Sequence, residues 1–298
     1  MTGIRKFIKQ YGWSYLFILP SLLTFTIFTL APVLWSLVIS FQDYSLVRGG
    51  KWVTPIYANY VEAFTLLNGI FLIAIRNTVI YTLFTVVAAI GLGLILASLI
   101  QPLSNRLRTF FRAAYYLPAV TSALIIGLTW AYIFNAQWGF ATYLTRMFGL
   151  PPIRWLSDPD IAFWSVVLSA VLTLPATAIV LFSAAMGAIP QEYYEAADLD
   201  GASPIQKWWN ITVPLVKSTT LYLVVLYTIA SFEVFERIYI MVPSGVGNST
   251  QTIVTQIYNN GFKDFDFGIA SAQAFVLFAM IALVAAFQFR VLRSDVEY

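Results

Sequence analysis

Glu195-Ala196-Ala197-Asp198-Leu199-Asp200-Gly201, followed by Ile211-Thr212-Val213-Pro214, lies between two long apolar runs. Pro190 suits the first position of a helix, where its missing N–H would be unsatisfied in any case. Glu192 then falls in the first turn, where the helix dipole favours an anion, and shares a face with Glu195. Ala196 and Ala197 add helix propensity without bulk, so another surface can approach closely. Gly201 is placed as a left-handed stop. Ser203, Pro204 and Gln206 then spell a second helix start with a capping box, and Trp208 and Trp209 give that helix an amphipathic body. On local chemistry alone, an interfacial helix pair that tidies a loop explains these features as well as a docking element does.

Outward from this loop, composition sets the class. Of 298 residues, 59% are hydrophobic and 10% charged, with a mean hydropathy of +0.77. Soluble domains carry roughly 25% charged residues, so this chain cannot cover a water-facing surface. Charge-free runs span 10–42, 77–105, 113–145, 161–191, 218–232 and 267–289. A crossing helix needs ~20 apolar residues, which predicts an all-α polytopic membrane protein. Its six spans are expected at roughly 13–41, 70–100, 110–135, 161–188, 214–241 and 267–292. The runs do not alternate as barrel strands would. Arg5, Lys6 and Lys9 precede the first run as in a signal peptide, but the run is too long for one, so a retained helix is expected.

Lys and Arg placement orients the chain. With the N-terminus inside, Arg5, Lys6, Lys9, Arg106, Arg108, Arg112, Lys207, Lys217, Arg290 and Arg293 are cytoplasmic. Arg48, Lys51, Arg146, Arg154 and Lys263 are outside. The positive-inside rule therefore predicts cytoplasmic termini and a cytoplasmic Glu195 loop. The outer loops collect turn and interface residues, among them Gly49-Gly50, Pro151-Pro152, Trp138 and Trp155.

Chemistry is narrowly bounded. With no histidine the commonest general base and metal ligand are missing, and with no cysteine thiolate metal sites and cysteine nucleophiles are excluded, so no catalytic or metal site is expected. A net charge of +3 with scattered basic residues argues against nucleic acid as a partner. No Gly-x4-Gly-Lys-Ser/Thr occurs, so the chain has no P-loop for ATP; Gly50-Lys51 is followed by Trp52. Glu233, Glu236 and Arg237 interrupt an apolar helix, which marks Phe232, Glu233 and Glu236 as candidates for a substrate pathway. Counted from Pro214, Glu233 lies roughly 28 Å along, near the outer edge of the hydrocarbon. There an i, i+4 pair of Glu233 with Arg237 is an equally good account. Gly91-x-Gly93 with Ala88, Ala89, Ala97 and Ser98 forms a small-residue stripe suited to close helix packing. Pro118, Pro175 and Gly127 are hinge or kink positions.

The full spacing carries a resemblance. Glu195, Ala196, Ala197, Gly201, Ile211 and Pro214, with Val213 where leucine is usual, resemble the loop signature of ABC-importer permeases, and Asp200-Gly201-Ala202 resembles its carbohydrate-uptake branch. Leu19-Pro20, Ala31-Pro32, Phe111-Arg112, Leu117-Pro118 and Phe265-Asp266-Phe267-Gly268 are similar to the F-like member of maltose- or glycerol-phosphate-type permease pairs. Val242-Pro243-Ser244-Gly245-Val246-Gly247 departs from the Thr-Gly-Gly-Gly-Pro-like turn common in that family.

The resemblance implies a type I ABC importer permease fold over 1–298, with a peripheral first helix (13–41), core helices within 70–292 and a coupling loop at 189–214. Glu192, Glu195, Ala196, Ala197, Asp200, Gly201, Ile211 and Pro214 would seat in a cleft of a separate ATPase. The implied partners are a second homologous permease, an ABC ATPase dimer holding the ATP and magnesium, an extracytoplasmic solute-binding protein and the lipid bilayer. This chain would hold no cofactor. The location would be a bacterial or archaeal inner membrane and the solute a sugar or related polyol. The rival without an ATPase, a secondary transporter or channel half, predicts mid-bilayer charges and an inverted repeat, and neither is evident. A membrane enzyme would need carboxylates clustered at one depth, whereas the acids here lie mostly in loops.

Overall fold

The computed structural model describes residues 2–45, 49–65, 69–173, 175–242 and 246–292. Arg48 and Arg293 of the charge tally, and Pro243, Ser244 and Gly245 of the outer turn, lie outside the described residues. The chain divides into two compact units, residues 1–65 with 257–275, and residues 66–256 with 276–298.

In the first unit, α1 (Thr2–Phe25) runs through a π turn (Thr26–Leu30) into α2 (Ala31–Ile39). Trp13–Ile39 is long and apolar enough to cross a membrane, and its side chains are left uncovered by the chain; Phe17 and Phe28 are 80% and 77% exposed. A surface of that kind belongs in lipid or against another apolar partner. Strand β1 (Gln42–Ser45) pairs antiparallel with β2 (Gly49–Trp52), so the Gly49-Gly50 turn expected from sequence opens a short hairpin strand. Asn59, on α3 (Ala58–Thr65), donates to the carbonyls of Ser40 and Gln42 at 3.0 and 2.9 Å, tying the end of the first span to this hairpin.

The second unit is built on α4 (Ile70–Ile100), 31 residues without a break. At its start Asn77 donates to the carbonyls of Ser249 and Gln251, at 2.8 and 2.9 Å. At its far end Arg108 donates to the carbonyls of Gln101 and Leu103, which completes the helix C-terminus. Arg108 lies on α5 (Asn105–Tyr116), a 3-10 turn follows at Leu117–Val120, and α6 (Ala123–Ile133) leaves at 91° to it. The single span expected at 110–135 is thus a bent pair. Pro118 cannot donate to the ladder, and Thr121 and Ser122 take extended backbone before the next helix begins.

After α7 (Phe140–Met147) come α8 (Ala162–Leu172) and α9 (Ala176–Gly187), interrupted at Thr173 and Pro175. The span expected at 214–241 breaks twice. α11 (Pro204–Lys207), a π turn (Trp208–Thr212) and α12 (Val213–Leu215) meet α13 (Lys217–Phe232) at 66°, and α14 (Glu236–Met241) is separate. The short α10 (Gln191–Leu199) precedes them, and α15 (Ile253–Tyr258) and α16 (Phe267–Leu292) close the chain. Among the described residues four helical stretches, the interrupted α8–α9 stretch among them, are long and apolar enough to cross alone, and up to six spans result if each bent pair is one.

The core of the second unit lies in two clusters. One gathers Tyr81, Phe134, Phe163, Val166, Val234 and Ile238; the other gathers Ala97, Ala178, Phe182, Met186, Val216 and Leu223. The small-residue stripe explains the second. A Cβ on Gly93 would stand 2.5 Å from the Ala178 methyl, so α4 and α9 meet backbone to backbone there. Gly91 has open space and takes no part.

Candidate functional site: the capped loop and a polar cavity between the helices

The loop is held by local chemistry. Pro190 is the N-cap of α10 with extended backbone (ψ 134°), one position earlier than expected, because its carbonyl already accepts from Tyr193 N–H at 3.3 Å. Glu192 sits in the first turn as anticipated. At the other end Gly201 has φ +75°, its N–H donates to Asp198 O, and Ala202 N–H donates to Ala197 O. These two bonds form a Schellman stop, which requires a left-handed residue at this point. Ser203 and Gln206 form the expected capping box: Gln206 Oε1 accepts from Ser203 N–H at 2.7 Å, and Ser203 Oγ accepts from Gln206 N–H at 3.4 Å.

Three side-chain links fix the pair of short helices. Lys207 Nζ lies 2.6 Å from Asp198 Oδ1, the one ion pair among the described residues. Tyr194 OH and Thr212 Oγ1 are 2.9 Å apart. Trp208 Nε1 donates to Ser98 Oγ at 2.7 Å, which fastens the loop to α4. A cavity of about 340 Å³ lined by Ser98, Gln101, Met186, Tyr194, Lys207 and Trp208 lies beneath. Beside it Arg112 donates through Nε and Nη2 to Ser183 Oγ at 2.8 and 2.5 Å, joining α5 to α9.

The far surface of the loop is open. Glu192, Glu195, Asp200 and Gly201 are exposed; Ala196 and Pro214 are exposed as well, while Ala197 and Ile211 are half-buried. Around the acids stand Tyr193, Leu199, Ile205 and Trp209, 53%, 91%, 69% and 59% exposed. Acidic groups set among exposed apolar ones, on rigidly capped helices, form a surface suited to protein contact.

The candidate pathway residues are not brought together. Phe232 is buried and borders an apolar cavity of about 400 Å³ with Val79, Leu83, Met280 and Leu283. Glu233 is exposed at the C-cap of α13, and Glu236 is exposed at the first position of α14. The Glu233–Arg237 pair requires a continuous helix. It does not form, because the chain leaves helical geometry at Phe235 (φ −137°).

Arg237 turns inward instead. Its Nη1 donates to Ser169 Oγ at 3.1 Å and to Thr173 Oγ1 at 3.4 Å. It borders a cavity of about 290 Å³ with Tyr81, Thr85, Thr173, Thr177, Tyr227 and Ser231. Thr85 and Ser231 hydroxyls are 3.0 Å apart, and Trp130 Nε1 donates to Thr173 Oγ1 at 3.1 Å. The interruption at Thr173 and Pro175 opens onto this cavity, as irregular backbone at membrane depth must. These hydroxyls come from α4, the α8–α9 break and α13, each an isolated polar residue in an apolar run. The one signal available in sequence was the basic charge at Arg237.

Comparison with known proteins gives the family. Residues 89–296 match the family described as binding-protein-dependent transport system inner membrane component. A probable ABC transporter permease protein, YurN of Bacillus subtilis, is 31% identical over 95% of this chain and 97% of its own length. The arabinooligosaccharides transport system permease protein AraP of the same organism is 30% identical over 93% of this chain and 90% of its own. A chain of a bacterial ABC transporter involved in the import of the acidic polysaccharide alginate superposes with a TM-score of 0.85 at 22% identity, over 99% of both chains, and shares the fold. The chain belongs to the family of inner-membrane components of binding-protein-dependent transport systems.

Proposed function

We propose that this chain is a permease subunit that, paired with a second permease, forms the path for a sugar or related polyol in a binding-protein-dependent ABC importer. ATP and magnesium are bound by a separate ATPase dimer, and an extracytoplasmic binding protein delivers the solute. Both termini and the loop from Pro190 to Pro214 are cytoplasmic in this reading.

The observation that carries it is the doubly capped loop with its acidic and apolar outer face. A loop that merely joined two spans would not need three side-chain links and two capping motifs. The ATPase cleft receives α10, with Glu195 in polar contact and Ala196 allowing close seating. Closure of the ATPase dimer moves the loop, and the link from Trp208 to Ser98 passes that motion to α4.

The test is purification of the assembled complex with Glu195→Ala against wild type. The variant is expected to retain the second permease and to lose most ATP-driven import. Import without any co-purifying ATPase would overturn the reading. Orientation is checked by single cysteines at Asp200 and Gly49 in this naturally cysteine-free chain. Only the second should react with an impermeant reagent from outside.

A further inference from the structure

Arg237 lies half-buried between helices of the second unit, and among the described residues no carboxylate pairs with it. Among the described residues Lys207–Asp198 is the one ion pair, and neither Glu233 nor Glu236 reaches Arg237. Nη1 has two hydroxyl acceptors; among the described residues Nη2 and Nε bond to no protein acceptor. The cavity it borders is walled by hydroxyls of Tyr81, Thr85, Thr173, Thr177, Tyr227 and Ser231 and holds no carboxylate.

Hydroxyls alone would suit a neutral sugar. A cation lining a cavity between apolar helices with no paired carboxylate is costly, and such residues mark solute or ion paths. The free edge of a guanidinium is a planar fork that matches a carboxylate or phosphate through two parallel N–H donors. With about 290 Å³, the cavity is close to the lower end of ligand-sized pockets, roughly 300 Å³.

We propose that Arg237 makes this cavity a subsite for an anionic group, a carboxylate or phosphate borne by the solute, so that the importer carries acidic saccharides or phosphorylated polyols in preference to neutral ones. The hydroxyls of Thr85, Thr173 and Ser231 then hold the rest of the solute, and Ser169 and Thr173 fix the orientation of the fork. The proposal rests on the reading that the chain is a sugar or polyol permease.

The experiment uses the assembled permease–ATPase complex in nanodiscs, without the binding protein, and equilibrium titration with four probes. Trigalacturonate is compared with its neutral methyl ester, and glycerol 3-phosphate with glycerol. At least one acidic probe should bind tenfold or more tightly than its neutral counterpart, and the responding arm tells carboxylate from phosphate. Arg237→Gln should erase the ratio, and Arg237→Lys should keep part of it, since the charge survives while the fork is lost.

Equal binding within both pairs, or no binding in either, overturns the assignment. A Gln variant that still discriminates overturns it too. If that variant does not assemble, the wild-type ratios decide alone. ATP-dependent uptake by the full system in proteoliposomes separates the two levels. Uptake that favours neutral sugars removes the anionic subsite and leaves the permease reading standing. Failure to import any saccharide or polyol removes both.

Discussion

Replacing Gly201 by alanine isolates a backbone requirement from every contact around it. Gly201 has φ +75°, and a Cβ built there meets nothing within 4 Å, so alanine introduces no clash. What remains is the cost of placing an L-residue in the left-handed region, roughly 1–2 kcal/mol. The Schellman bonds Gly201 N–H to Asp198 O and Ala202 N–H to Ala197 O depend on that geometry. A cost of about 1 kcal/mol shifts the local closed–open balance about fivefold. Hydrogen exchange on the purified complex should therefore show the amides of Gly201's replacement and Ala202 exchanging about fivefold faster, with the α4 amides unchanged. Gly201→Asn should fall between, because asparagine tolerates the left-handed region better than alanine. Unchanged exchange in the alanine variant, or an asparagine variant worse than alanine, would refute the argument that conformation alone selects glycine here.

Gly93→Ala should behave in the opposite way, because its Cβ would lie 2.5 Å from the Ala178 methyl; overpacking of that kind costs about 1–3 kcal/mol, readable as a lower melting temperature in detergent. Arg112→Ala removes charge-assisted donors to Ser183 and should lower stability by about 1.5–3 kcal/mol, with Arg112→Lys recovering part of it. Trp208→Phe keeps an aromatic six-membered ring but loses the indole N–H donor to Ser98 and the fused ring that carries it, for a loss of at least about 1 kcal/mol in the same melt and weaker coupling of ATP hydrolysis to import. Lys207→Met should cost less than about 1 kcal/mol, because Asp198 is 61% exposed, and the difference from wild type should shrink at high salt.

Local chemistry was legible in the sequence, and packing was legible only where small residues announced it, as at Gly93 against Ala178. Ser203, Gln206 and Gly201 act within a few residues of themselves, so their caps could be read directly. Hydropathy likewise located every apolar span. It could not locate the bends: Pro214 stands two residues before the Val216 bend but does not by itself fix where the helix turns, and the Val234–Phe235 step carries no glycine or proline at all. Thr121 and Ser122 follow a proline, yet a proline is equally compatible with a gentle kink. The polar cavity was hidden for a related reason, since its walls come from five separate segments: α4, the turn at Leu117–Val120, the α8–α9 region, α13 and α14. Arg237 drew notice only as a neighbour of Glu233, a pairing that assumes an unbroken helix.

Among the helices lying wholly in the second unit, α4 is the one membrane-length helix without an interruption. Ser98 and Asn77 are 21 residues apart on it, about 32 Å at the helical rise. The first receives Trp208, and the second holds the carbonyls of Ser249 and Gln251. In the proposed coupling mechanism it works as a connecting rod: a thrust at one end meets no joint on the way to the opposite rim. The broken helices around it yield, and the stiff one sets the length of the stroke.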